Sequence, residues 1–124
     1  MIVVVDTSSL QRFLAGVVAH DTGVVSDAIH RQEAYLPAVV VTEALSNRFL
    51  AETTVDEILR LPVLKITEGY WMRAGRMRAS LGRLKFKAKL ADTLIAQACL
   101  DHNAPLITHN GDFDNFVDLG LKLL

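Results

Sequence analysis

The sequence contains almost no cysteine and no long apolar run, and each absence excludes a class of protein. Cys99 is the single cysteine among 124 residues, so an internal disulfide is excluded and a reducing, cytoplasmic location is favoured. No apolar stretch approaches the roughly 20 residues that span a bilayer, and no basic segment precedes an apolar one at the N-terminus. We therefore expect one domain over residues 1–124 that neither enters a membrane nor is secreted.

Acidic residues are also missing from the segment between Glu68 and Asp92, where much of the positive charge lies instead. Seven of the 13 lysines and arginines fall there, namely Arg73, Arg76, Arg78, Arg83, Lys85, Lys87 and Lys89. The net charge of −1 conceals this concentration. We expect one strongly positive surface, for which an ordinary solvated helix face is the alternative interpretation.

The spacing of apolar residues predicts strands that alternate with helices. Runs without polar alternation predict buried strands at residues 2–5, 34–36, 62–66, 104–108 and 121–124. Helical spacing predicts helices around residues 10–18, 24–29, 37–49, 54–61, 68–82 and 91–99. We expect Ser8 or Ser9 to cap the first helix and a capping box to begin at Thr54.

Strands separated by helical segments indicate a mainly parallel sheet, because parallel neighbours need a long crossover. We predict an α/β fold, a three-layer α/β/α sandwich with a mainly parallel central sheet. In such sheets ligands bind beyond the carboxyl ends of the strands, near the point where the strand order reverses. Polar residues at strand ends are therefore the candidates for a functional site.

Four acidic residues occupy such positions: Asp6, Glu43, Asp92 and Asp112. Each also has a structural explanation, since Asp6 and Asp92 suit helix starts, Glu43 suits a solvated helix face and Asp112 suits a turn. Four strand-end acids in one small domain are more than capping requires. Oxygen ligands of this kind favour Mg²⁺ or Mn²⁺, and no histidine or cysteine cluster indicates zinc.

The segments that carry these acids resemble a known family. The motifs "VVVDTSSL", "LPAVVVTEAL", "LADTLIAQA" and "LITHNGDF" occur in the order and spacing of the PIN domain. The chain is similar to the small ribonuclease toxins of the VapC type over residues 1–116. The resemblance implies an α/β/α fold and metal-dependent cleavage of RNA that leaves a 5′-phosphate and a 3′-hydroxyl.

The resemblance also implies roles for the four acids. Asp6, Glu43 and Asp92 match the acids of the family's metal site. Family members often carry T-x-D-x-D-F or T-x-N-x-x-D-F where this chain has "THNGDF", so we expect Asp112 to be the fourth acid and Asn110 to supply an amide oxygen or a water contact. Asp6, Asp92 and Asp112 would hold one or two metal ions, while Glu43 would orient or deprotonate the attacking water.

The same resemblance extends to neighbouring side chains and to partners. We expect the hydroxyls of Thr7, Ser8 and Thr108 to support the metal site, and the cationic segment before Asp92 to bind RNA. A homodimer and an antitoxin partner are implied as well.

Two other functions stay open on the sequence alone. A PIN-like fold with a degraded metal site would serve as a binding module, which the unusual "THNGDF" permits. An RNA-processing nuclease that is not a toxin would carry the same motifs. A phosphatase of the haloacid dehalogenase class is disfavoured, because it needs a second aspartate where this chain has Ser8.

Overall fold

A parallel sheet forms the centre of the computed structural model, which describes residues 1–124. Its strands are β1 (Val3–Val5), β2 (Ala34–Tyr35) and β3 (Leu106–Ile107). The strand order is β2-β1-β3, and β1 pairs in parallel with both neighbours. The valines of β1 are at most 3% exposed, as the uninterrupted apolar run predicts for a strand covered on both faces.

The two outer strands that the sequence predicts are reduced to single bridges. Leu36 bridges Val63 and Leu106 bridges Leu123, both in parallel. Val63 is 49% and Leu123 38% exposed, so each outer segment lies at an edge where burial supports only a short pairing. The predictions of full strands at residues 62–66 and 121–124 are wrong in length, although both segments do extend the sheet.

Six α-helices and a 3₁₀ helix cover the sheet and complete the predicted α/β/α sandwich. They are α1 (Thr7–Leu14), α2 (His20–His30), α3 (Ala38–Leu45), α4 (Glu52–Leu59), α5 (Tyr70–Arg83), α6 (Leu90–Asp101) and the 3₁₀ helix (Gly111–Leu119). Helices α1 and α2 pack together, as do α5 and α6, and α3 contacts both α1 and α6. None of these helices has the length and apolar character needed to cross a lipid bilayer.

The chain winds to both sides of β1. It passes from β1 through α1 and α2 to β2 on one side, and reaches β3 on the other side only after α5 and α6. The strand order therefore reverses between β1 and β3. Their carboxyl ends are followed by Asp6 and Thr108, which places these two side chains at the expected ligand position.

The first helix ends earlier than its apolar spacing predicts. Gly16 adopts a left-handed conformation with φ +80°, and the amides of Gly16 and Val17 donate to the carbonyls of Phe13 and Arg12. This pair of bonds is a Schellman motif, which terminates α1 by satisfying its last carbonyls. Val18 is consequently 98% exposed, so the predicted helix over residues 10–18 is too long.

The predicted helix caps are also wrong. Asp6 occupies the N-cap position of α1, but its side chain accepts no bond from a backbone amide of the helix. Ser8 and Ser9 lie inside the first turn, where their hydroxyls donate hydrogen bonds to the buried carboxylates of Asp6 and Asp21. Helix α4 begins at Glu52, so Thr54 is already helical. A cap is predicted from neighbouring residues alone, whereas the hydroxyl of Ser9 bonds to Asp21 in the next helix.

An ion pair between neighbouring helices is among the few buried polar contacts of the core. Arg12 of α1 forms two bonds to the Asp21 carboxylate of α2, at 3.0 and 3.2 Å, and Ser9 donates a third at 2.9 Å. The Arg12 guanidinium and the Ser9 hydroxyl lower the pKa of Asp21 from 3.8 to about 2. The charged form of Asp21 therefore stabilises the packing of α1 on α2.

We expect Asp21→Asn to lower the free energy of unfolding at pH 7 by about 1–3 kcal/mol, because a buried charge-assisted set of hydrogen bonds is lost. A carboxyl with a lowered pKa in the folded state stabilises fully above its ordinary value and loses this contribution as the pH falls toward its folded value. The difference between variant and wild type should therefore shrink from pH 4 toward pH 2. Urea unfolding at pH 7 and pH 3 measures it, and Asp27→Asn, an exposed position on α2, is the control.

Candidate active site

Asp6 follows the central strand and is held in place by two hydroxyls. Its side chain is only 3% exposed, and its backbone amide pairs with the carbonyl of Ile107 in β3. The Oδ2 atom accepts a bond from Ser8 Oγ at 2.8 Å and another from Thr108 Oγ1 at 2.7 Å. A buried carboxylate is thus oriented by one donor from α1, which follows β1, and by one from the segment that follows β3.

The loop after β3 continues this network toward Asp112. Ser8 Oγ accepts from the amide of His109, and Thr108 Oγ1 accepts from the amide of Asn110. Asn110 Oδ1 in turn accepts from the Asp112 amide at 3.0 Å, which caps the 3₁₀ helix. The amide oxygen that we expected at the metal site is therefore engaged by the backbone, and it positions Asp112.

Glu43 reaches the site from α3. Its side chain is exposed, and Oε1 accepts a bond of 2.8 Å from the hydroxyl of Thr7, the first residue of α1. This bond connects two helices and leaves the second carboxylate oxygen without a protein partner. Glu43 consequently has one fixed oxygen and one that faces solvent.

Asp92 lies in the first turn of α6, half-buried beside the other three acids. Burial and the charges of Asp6, Asp112 and Glu43 together raise its pKa to about 6, although Lys89 partly offsets them. Such electrostatic influence requires proximity. The structure therefore brings together the four acids that the sequence singled out.

One cation contacts this acid cluster, defined as Asp6, Glu43, Asp92 and Asp112. Lys89 Nζ lies 3.6 Å from Asp112 Oδ2, and both side chains are well exposed. From the sequence, Lys89 is predicted only to bind RNA. Lys89 lies three residues before Asp92, which is about one helical turn, and this spacing could have predicted that its side chain lies near the acids.

The chemistry of the cluster suits a hard divalent cation. No three of its carboxylates, nor any other three acids, histidines or cysteines, are close enough to enclose a metal ion directly. Mg²⁺ usually keeps several waters and binds through one or two carboxylates, so a compact cage is not required. A cation there would also oppose the burial and the like-charge repulsion that raise the pKa of Asp92.

The structure gives Arg73 a role different from RNA binding. Its guanidinium forms bonds of 3.1 and 2.8 Å to the carboxylate of Asp101 and a further bond to the carbonyl of Glu68. These contacts join the start of α5 to the end of α6. The Arg73 side chain therefore holds α5 against α6. Counting the charges in this segment of the sequence does not reveal this role.

Three of the remaining cations border a groove beside the acid cluster. The groove, of about 700 Å³, lies between α5 and the segment that leads to α6, and is lined in part by Arg78, Phe86, Lys87 and Lys89. Small residues of α5, such as Gly75 and Gly82, also line it, and Arg78 Nε donates to the carbonyl of Ala88 at 2.9 Å. The other predicted cations, Arg76, Arg83 and Lys85, are exposed outside the groove.

An acid cluster at the reversal point of a parallel α/β/α sheet defines the class to which this protein belongs. Comparison with known families identifies the class by name: the PIN domain model matches residues 3–119. The chain belongs to the PIN domain family. Members of this family are in general nucleases and typically use divalent metal ions.

A solved structure has a similar fold. One chain in the structure of VapBC-1 from nontypeable Haemophilus influenzae is 20% identical to this chain, with a TM-score of 0.78. The similarity covers 100% of this chain and 97% of that one. A comparison with curated proteins found no match.

We expect Thr108→Val to lower the free energy of unfolding by about 1–3 kcal/mol, because the buried Asp6 carboxylate loses a donor. Valine has the same shape as threonine and suits the extended backbone, so the change isolates the hydroxyl. Urea denaturation measures the effect. Thr53→Val, at an exposed position of α4, should change stability by less than about 0.5 kcal/mol; equal losses in both variants would contradict the role of Thr108.

Proposed function

We propose that the protein is an endoribonuclease that hydrolyses RNA phosphodiester bonds with Mg²⁺ or Mn²⁺. The observation that carries this proposal is the convergence of four carboxylates, from distant parts of the chain, at the reversal point of the sheet. Asp6, Asp92 and Asp112 are the proposed acids of the metal site, each binding the ion either directly or through one of its waters. Membership of the PIN family supports the assignment.

Different side chains have different roles in the proposed hydrolysis. Glu43 accepts a bond from Thr7 on one oxygen, and its other oxygen would orient or deprotonate the attacking water. The Ser8 and Thr108 hydroxyls hold Oδ2 of Asp6, so its other oxygen would be available to hold a cation. A bound divalent cation supplies Lewis acidity, which makes water more acidic and neutralises charge that develops on the phosphate.

Partners follow from the same family. The resemblance to VapC-type toxins and the similar fold of the VapBC-1 structure support a toxin of a toxin–antitoxin pair. We propose an antitoxin protein as partner and a homodimer as the assembly. A small gene for a DNA-binding antitoxin directly beside this one would support the toxin over an RNA-processing nuclease.

The groove beside the acid cluster is the proposed RNA-binding surface. Arg78, Lys87 and Lys89 supply cations for the phosphate backbone, and Phe86, which is 45% exposed, offers a face on which a base can stack. Because Lys89 also contacts Asp112, the groove leads directly to the acids. Arg76, Arg83 and Lys85 add to the positive field from outside the groove.

We expect Asp6→Asn and Asp92→Asn each to lower the rate of RNA cleavage by about 100-fold or more, because metal charge stabilisation is worth several kcal/mol. Cleavage of a labelled RNA in Mn²⁺ measures the rate, and circular dichroism checks the fold. Asp114→Asn, in the same 3₁₀ helix as Asp112 but outside the acid cluster, should keep the wild-type rate. Full activity in both site variants would exclude this mechanism.

Calorimetric titration with Mn²⁺ separates the nuclease from a metal-free binding module. We expect wild type and Asp114→Asn to bind Mn²⁺ and Asp92→Asn to bind it at least tenfold more weakly, because a carboxylate ligand is replaced by an amide. A silent titration of the wild-type protein would leave only the binding role.

We expect Lys87→Gln to weaken binding of single-stranded RNA and to reduce the slope of log affinity against log salt by about 0.7, the value for one lost phosphate contact. Phe86→Ala should weaken binding by about 1–3 kcal/mol, the range for base stacking, with the slope unchanged. Fluorescence anisotropy with Asp6→Asn as the background avoids cleavage. Arg31→Gln, which removes a charge that does not line the groove, is the control; equal effects in all three variants would argue against the groove.

A further inference from the structure

The ammonium of Lys89 lies beside the acid cluster, 3.6 Å from Asp112. It forms an ion pair with Asp112, and no other lysine or arginine of the chain pairs with the acid cluster. Asp6 and Glu43 are held by hydroxyls instead. Asp112 is thus the one acid of the four that has a cationic partner within the chain.

The backbone of Lys89 is fixed while its side chain is free. Lys89 is the N-cap residue of α6, and its carbonyl accepts bonds from the amide and the hydroxyl of Thr93, at 3.0 and 2.9 Å. The side chain is 74% exposed, so it can leave Asp112 without disturbing the helix. An exposed ion pair of this kind is weak, and a divalent cation readily displaces it.

We propose that Lys89 is a positioning residue that exchanges partners: it neutralises Asp112 in the metal-free protein and passes to an RNA phosphate when a divalent cation binds. The inference rests on the proposed function. Two positive charges beside one carboxylate repel each other, so metal binding favours the release of the ammonium. Since Lys89 also borders the RNA groove, a phosphate is the nearest replacement for the lost carboxylate. Metal and RNA then strengthen each other's binding, as linkage requires.

The first test is a calorimetric titration of Mn²⁺ into the protein without RNA. Lys89→Gln removes the competing cation, and we expect it to bind Mn²⁺ about two- to fivefold more tightly than wild type, the range for a weak exposed ion pair. Lys87→Gln removes the same charge two residues away, where no acid is paired, and should change the affinity less. Lys89→Arg should keep the wild-type affinity.

Two results of this titration would overturn the inference. Equal affinities of wild type and Lys89→Gln would show that the ammonium does not compete with the metal, and equal gains in Lys89→Gln and Lys87→Gln would show only a general field. If the wild-type protein binds no Mn²⁺, the proposed nuclease function fails together with the inference. Failure of Lys89 alone is therefore distinguishable, because wild-type binding and cleavage then persist.

The second test measures the transfer to RNA. Fluorescence anisotropy with a labelled single-stranded oligoribonucleotide is recorded with and without Ca²⁺, which replaces the catalytic metal and prevents cleavage. We expect Ca²⁺ to raise RNA affinity in wild type and Lys89→Arg, and to raise it several-fold less in Lys89→Gln. The same gain in all three proteins would contradict the exchange of partners.

Discussion

Repulsion between like charges is the constraint on which this structure depends. Four carboxylates lie near one edge of the sheet, and burial together with the charges of its neighbours raises the pKa of the half-buried Asp92 to about 6. The fold accommodates this arrangement by giving three of the four acids different partners. Asp6 receives two hydroxyls, Glu43 receives one, and Asp112 receives an exposed lysine. Only weak or neutral partners are used, so the negative potential of the site is preserved.

A rigid frame holds these partners at the required positions. The central strand is paired on both sides, and the Phe113 and Phe116 rings, 5.9 Å apart and almost completely buried, anchor the 3₁₀ helix that carries Asp112. The α5–α6 pair is fastened separately by the Arg73–Asp101 ion pair. The core therefore supplies the free energy that opposes repulsion at the edge.

The parts of the fold that the sequence predicted correctly are those with a local signal. The apolar run before Asp6 and the helical spacing around Asp92 are each contained in a few consecutive residues, and the structure confirms both elements. The grouping of the acids also followed, because parallel strands end at one edge. Motif order then identified the family, which the comparison confirms.

The features that were missed depend on residues distant in the chain. The hydroxyl of Ser9 was predicted as a possible helix cap, but it donates a hydrogen bond to buried Asp21 in the next helix. Arg73 resembles a nucleic-acid contact until Asp101, in the next helix, is placed beside it. The lengths of the two edge strands were predicted wrongly, because the length of an edge strand depends on how much of the segment is buried. The spacing of apolar residues along the chain does not report this burial.

The bond between Thr108 and Asp6 has a consequence for the order in which the protein becomes active. It joins residues 102 positions apart, and Asp112 lies farther along the chain still. In a growing chain, β1 therefore stays unpaired with β3 until residues 106–107 have been synthesised, and the acid cluster is incomplete until Asp112 has followed. The site cannot assemble from its N-terminal half alone.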